Sequence, residues 1–179
     1  MEKVLNRKKH AFLKDSALIL ITAACAVLLP QVLHAAGVLL GVGGALGQMF
    51  LPMYLPVLIL GFKCGAVMGA VSGLASPLLS FSLTGMPTAA LLPFITVELI
   101  CFGAFAGLFA NKNWSPVLKV LAVAVFSKLA RTVMSFAAIY FISGVKLTPA
   151  AILNSAVIAL PGLLLQLILV PYIIKKKSL

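Results

Sequence analysis

Acidic residues are almost missing from this chain of 179 residues. They are Glu2, Asp15 and Glu98, and charged residues of both signs together make up only 9% of the sequence, against about 25% in soluble domains. Because apolar residues account for 63%, a soluble fold could not cover its own surface. The composition excludes an ordinary soluble domain and predicts that lipid surrounds most of the chain.

The motifs of common enzyme classes are missing as well. The sequence contains no GxxxxGK[ST] loop for ATP phosphates, no HExxH zinc motif and no GxSxG nucleophile turn. Cys25, Cys64 and Cys101 lie inside apolar runs without metal-ligand spacing, and three carboxylates leave little for acid–base chemistry. We therefore expect no enzyme, no metal site and no cofactor in this chain, with an integral-membrane enzyme as a remaining alternative.

Six long apolar blocks occupy the chain instead. Since a membrane-spanning helix needs about 20 residues, they predict an all-α integral membrane protein with a bundle of about six transmembrane helices. The expected spans are 12–33, 49–62, 64–82, 88–110, 116–143 and 149–174, with a glycine-rich loop at 35–48 after the first. Without a soluble linker between them, residues 1–179 are expected to form one domain.

The distribution of Lys and Arg predicts the orientation of these spans. Eleven of the fourteen fall on the side of the termini: Lys3, Arg7, Lys8, Lys9, Lys14, Lys63, Lys112, Lys119, Lys175, Lys176 and Lys177. Only Lys146 falls on the opposite side, and Lys128 and Arg131 lie inside a span. The positive-inside rule then predicts cytoplasmic termini, and it explains the net charge of +11 by membrane flanks rather than by a nucleic-acid partner.

The first apolar block has a second interpretation. Basic residues at 3–14, an apolar run and the small residues at 35–37 also fit a cleaved signal peptide. Asp15 directly before the run, and a run long enough to span, favour a retained helix.

Ionisable residues inside the spans are costly and mark functional sites. Lys128 and Arg131 are three residues apart, so they share one helix face. Glu98 falls at a similar depth on the preceding helix, which predicts that it is adjacent to Arg131. The group either is a structural ion pair or forms the polar floor of an outward-facing site, where the excess cation would meet an anionic or hydrogen-bonding ligand or a partner subunit.

Further candidate residues surround this group. An apolar stripe follows the Glu98 face and fits either a core or a flat heterocyclic ligand: Phe94, Cys101, Phe102 and Phe105. His34 alone is typical of the membrane interface, but a loop that bears His34, Gln48 and Tyr54 beside an outward pocket also fits a lid. Asn154, near the outer end of the last span, is a further candidate.

Small residues recur at every fourth position, a spacing that permits close helix approach in lipid. The series comprises Gly61, Gly65, Gly69 and Gly73, with similar pairs at Thr22/Ala26 and Gly103/Gly107. Packing within the chain explains such motifs, but their number also suggests a membrane partner.

Several stretches together point to one known family. They are FLPMYLPV at 50–57, SPLLS at 76–80, TGMP at 84–87 and PGLLLQ at 161–166 before the basic tail. With these, the chain resembles the substrate-binding S components of energy-coupling factor (ECF) vitamin transporters. The resemblance implies a receptor in a prokaryotic plasma membrane that captures a vitamin or related heterocycle and docks on a transmembrane coupling subunit with two ATPase subunits.

The resemblance also implies residue roles. Arg131 and Lys128 would hold anionic or polar ligand groups, Glu98 would pair or accept hydrogen bonds, and the remaining site residues would be Phe94, Phe102, Met86, His34 and Asn154. Partner docking would use Thr22, Ala23, Ala26, Gly65, Gly69 and Gly73. The ligand class stays open between pyridoxine-like, benzimidazole-type and other heterocycles. The alternative function is a proton-coupled secondary carrier with Glu98 as its proton site.

Overall fold

The computed structural model describes residues 2–41, 50, 52–141, 154 and 157–175, and within these ranges the side chains of residues 13–174. Six helices lie in these ranges: α1 (Glu2–Leu39), α2 (Tyr54–Cys64), α3 (Ala66–Thr84), α4 (Leu92–Ala110), α5 (Pro116–Phe141) and α6 (Leu160–Lys175). The predicted all-α class is confirmed for the described residues.

Three stretches of these helices are long and apolar enough to cross a membrane: Leu13–Leu39, Ala66–Thr84 and Leu92–Ala110. Two shorter apolar helices, Tyr54–Cys64 and Leu160–Ile174, accompany them. Large apolar side chains are widely exposed on the outside of the bundle. These observations indicate a multi-pass membrane protein, in which lipid replaces water as the solvent of that outer surface.

The first helix is longer than the sequence predicts. It begins at Glu2 and continues through the small residues at 35–37 to Leu39, with Pro30 inside it. The expectation of a loop from residue 35 was wrong there, because two alanines favour helix strongly enough to carry it past Gly37. The rest of the predicted loop, 42–49, lies outside the described residues.

A glycine separates α2 from α3. Gly65 has φ +95°, a backbone conformation that residues other than glycine rarely adopt. Its N–H donates to the Gly61 carbonyl at 2.9 Å. The glycine series therefore does not run along one helix. Gly61 belongs to α2, while Gly69 and Gly73 belong to α3.

Helix α4 is the centre of the bundle and packs against α2, α3 and α5. Helix α1 lies on α2 and α3, while α6 lies on α5 and α2. The fully buried apolar core combines side chains from all helices except α3, including Ala26, Val57, Leu58, Leu99, Val120, Val123 and Val170. A residue on the inward face of α4 is thus surrounded by protein on several sides.

The small residues act in packing between the chain's own helices. A Cβ atom added to Gly69 would collide with the Gly103 backbone carbonyl, and one added to Gly73 would collide with that of Leu99. The α3–α4 interface therefore requires glycine on the α3 side. This close approach is the interaction that small residues at every fourth position permit in lipid.

Most residues of the predicted docking surface are buried within the bundle in this structure. Thr22, Ala23 and Ala26 are buried on the side of α1 that faces the bundle, and Gly69 and Gly73 are buried against α4. Gly65 is half-buried at the α2–α3 junction. Neighbouring helices of the same chain cover all of these residues except Gly65, and a docking role for them stays a prediction.

Four lysines gather at one end of the bundle. Lys63 and Leu18 line one groove, so the start of the apolar part of α1, including Lys14, lies near the end of α2. Gly107 approaches the backbone of Gly65, which brings the end of α4 to the same place. Lys112 follows there, and Lys119 Nζ donates to the Ala110 carbonyl at 2.6 Å. This end of the bundle is therefore positively charged.

Candidate functional site

Glu98 lies on the inward face of α4 and is only 1% exposed. It is six residues beyond Leu92, so it lies about 9 Å along the helix. Its neighbours on this face, Leu99 and Phe102, are buried apolar residues. A carboxylate at this position requires compensation by donors from other helices.

Three donors satisfy this carboxylate. Tyr54 Oη donates to Glu98 Oε2 at 2.8 Å, and Arg131 Nη1 donates to the same oxygen at 2.8 Å. Lys128 Nζ donates to Oε1 at 3.1 Å. We call these four residues the charge cluster. It joins α2, α4 and α5, and it confirms the predicted adjacency of Glu98 to Arg131. Lys128, predicted on the same helix face as Arg131, also contacts Glu98.

The charge cluster carries an excess positive charge. Two cations face one carboxylate, and the side chains of Lys128 and Arg131 are 28% and 21% exposed. A guanidinium has five N–H donors and an ammonium has three, but each cation uses one of them on Glu98. The cluster thus retains donors and one positive charge that no described carboxylate balances.

Aromatic side chains border the cluster. The rings of Tyr54 and Phe102 meet edge to face, with centroids 5.2 Å apart and an interplanar angle of 89°. Phe94 is buried one turn before Glu98. Phe105, seven residues beyond Glu98 on the predicted stripe, packs with Phe109 and Phe126 toward the lysine-rich end.

The other predicted site residues are not joined to the cluster by hydrogen bonds in the described part of the chain. His34 is half-buried within α1 rather than in a loop. Met86 is 49% exposed in the turn between α3 and α4, and Asn154 is exposed. Gln48 lies outside the described residues.

Two further polar residues were not among the predicted binding residues. Tyr54 was expected in a flexible lid, but it is the buried first residue of α2 and holds Glu98. Gln166 on α6 is 1% exposed, and its Nε2 has no hydrogen-bond partner among the described residues. The available signal for Gln166 was a glutamine inside an otherwise apolar run.

An apolar groove of about 500 Å³ opens between α1, α6 and the start of α2. Leu33, Leu55 and Leu165 are among its lining residues. Leu55 directly follows Tyr54, so the groove lies beside the charge cluster, although no member of the cluster lines it.

No protein-family model, curated protein or solved structure matches this chain. The relation to S components therefore stays a prediction from the sequence stretches alone.

Proposed function

We propose that this chain is a membrane-embedded receptor for a vitamin or related heterocyclic micronutrient. In this proposal it is the substrate-specificity subunit of an ECF-type importer, and separate ATPase subunits hydrolyse ATP. The observation that carries the proposal is the charge cluster. An excess cation within an apolar bundle destabilises the protein, so its presence indicates a function. Phe94 and Phe102 are buried aromatic residues near it and would pack against the ring system of such a ligand.

The position of the cluster supports an outward-facing site. Arg131 lies twelve residues beyond Lys119 on α5, a distance of about 18 Å along the helix. If the lysine-rich end is cytoplasmic, as the positive-inside rule requires, the cluster lies in the outer half of the bundle. The same orientation gives cytoplasmic N- and C-termini.

The hydrogen bonds of Glu98 favour a receptor over a proton-coupled carrier. A proton on Glu98 would remove the charge that pairs with Lys128 and Arg131 and would leave two cations together. A carrier that alternates between protonated and ionised Glu98 would have to overcome the repulsion between these two cations in each transport cycle.

Binding and transport measured on the same purified chain separate these two functions. A receptor binds its ligand in detergent without other subunits, but proteoliposomes that contain only this chain do not accumulate it. Addition of an ECF coupling subunit with its ATPases and ATP should then start uptake. Accumulation by the chain alone, driven by an imposed proton gradient, would instead establish the carrier.

A further inference from the structure

Gln166 lies on α6 near the start of α2, whose first residue, Tyr54, belongs to the charge cluster. Its neighbours Leu165 and Leu169 line the apolar groove together with Leu55, the residue after Tyr54. Gln166 itself is on the inward face of α6, one turn before the fully buried Val170. Helix α6 packs against α2 and α5, which carry three of the four cluster residues.

The amide of Gln166 has no acceptor within the part of the chain that the structure describes. Its Nε2 is buried and has no hydrogen-bond partner among the described residues. Buried polar groups in native proteins nearly always have a partner, and an unmet donor destabilises the fold. The amide donor requires an oxygen acceptor and the excess cation requires a negative charge, and an oxyanion supplies both.

We propose that Gln166 is a ligand-binding residue and that the ligand is a monoanion with a carboxylate or similar oxyanion. Oxyanion atoms accept hydrogen bonds from the remaining donors of Arg131 and Lys128 and from Gln166 Nε2. One negative charge makes the occupied cluster neutral, whereas a neutral or cationic ligand leaves the excess charge in place. This inference rests on the proposed receptor function and specifies the substrate class of its site.

The charge of the bound compound is the first test. Protein purified from cells grown in rich medium is denatured, and the released small molecules are identified by mass spectrometry. A compound with one net negative charge at neutral pH is expected. A neutral or cationic compound would overturn the substrate class and leave the receptor function standing, whereas an empty protein that no vitamin stabilises would contradict the receptor function itself.

Substitution of Gln166 tests its role with the same compound. Gln166→Met keeps the length of the side chain but removes the donor, and Gln31→Met on α1 is the matched control. We expect Gln166→Met to weaken binding of the released compound at least about tenfold, while the melting temperature of the ligand-free protein stays the same or rises. The control should change neither quantity.

A structural role for Gln166 predicts the opposite pattern. Ligand-free Gln166→Met would then melt at a lower temperature, and affinity measured on the folded fraction would be unchanged. Gln166→Leu provides a second apolar variant in case methionine packs poorly. Failure of both variants to fold would assign Gln166 to the structure of the bundle and overturn its binding role.

Discussion

Arg131 Nη1 lies 2.8 Å from Glu98 Oε2, while Lys128 holds the other oxygen of the same carboxylate. The three charges are therefore not equivalent. Removal of Arg131 leaves a balanced pair of Glu98 and Lys128, but removal of Glu98 leaves two cations without a counter-charge. Because of this asymmetry, substitution of Arg131 tests a role in ligand binding, whereas substitution of Glu98 tests a role in stability.

Arg131→Ala should reduce ligand affinity at least about tenfold, roughly 1.4 kcal/mol, and still give a folded protein. The reason is that the Glu98–Lys128 pair stays neutral while the cation proposed to bind the ligand is lost. Isothermal titration with the compound released from the wild-type protein measures the change, with exposed Lys112→Ala as control. If Arg131→Ala binds the ligand as tightly as the wild-type protein, the ion pair has only a structural role.

Glu98→Ala should be the more destabilising change. Removing one partner of a fully buried ion pair costs about 3–5 kcal/mol. Because Lys128 and Arg131 are 28% and 21% exposed, the loss here should be smaller than that. Unfolding in detergent by increasing denaturant measures this loss. The double variant Glu98→Ala/Arg131→Ala should recover part of it, since only one cation then remains. A double variant less stable than Glu98→Ala would contradict the charge argument.

Tyr54→Phe tests the hydrogen bond between α2 and the cluster. The change removes the hydroxyl that donates to Glu98 but keeps the ring against Phe102. Hydrogen bonds to charged groups contribute about 1.5–3 kcal/mol, so the melting temperature should fall measurably. Tyr172→Phe at an exposed tyrosine is the matched control and should have no effect. Equal melting temperatures for both variants would show that the Tyr54 hydrogen bond does not stabilise the cluster.

Gly69→Leu should abolish folding rather than only partner assembly. A side chain at this position meets the Gly103 backbone, which cannot move without separating α3 from α4. Ala24→Leu, at an exposed small residue of α1, is the control and should yield monodisperse protein. Size-exclusion chromatography in detergent distinguishes the two. A folded Gly69→Leu that fails only to join a coupling subunit would restore the docking role.

The sequence predicts most of the cluster but not all of it. Helical spacing and depth are enough to bring Glu98 to Lys128 and Arg131, because ionisable residues in apolar helices are few and must pair. Tyr54 was expected in the lid rather than in the cluster, because only tertiary packing places its ring against Phe102 and its hydroxyl on Glu98. The same limit applies to Gln166, whose missing partner is a property of three-dimensional surroundings.

Helix ends and small-residue faces were predicted less well for a physical reason. Glycine signals both chain reversal and close helix contact, so the sequence alone assigned Gly37 to a loop and left Gly69 open between packing within the chain and a partner surface. The structure places Gly37 inside α1 and Gly69 against α4. Which helix face meets lipid and which meets protein depends on the neighbours that pack there.

Native mass spectrometry of the wild-type chain, purified alone in mild detergent from cells grown in rich medium, tests the receptor function most directly. The account predicts a population with one added small-molecule mass in the range of a vitamin, and loss of that population in Arg131→Ala. A wild-type protein that carries no added mass, and that no member of a vitamin panel stabilises against heat, would contradict it.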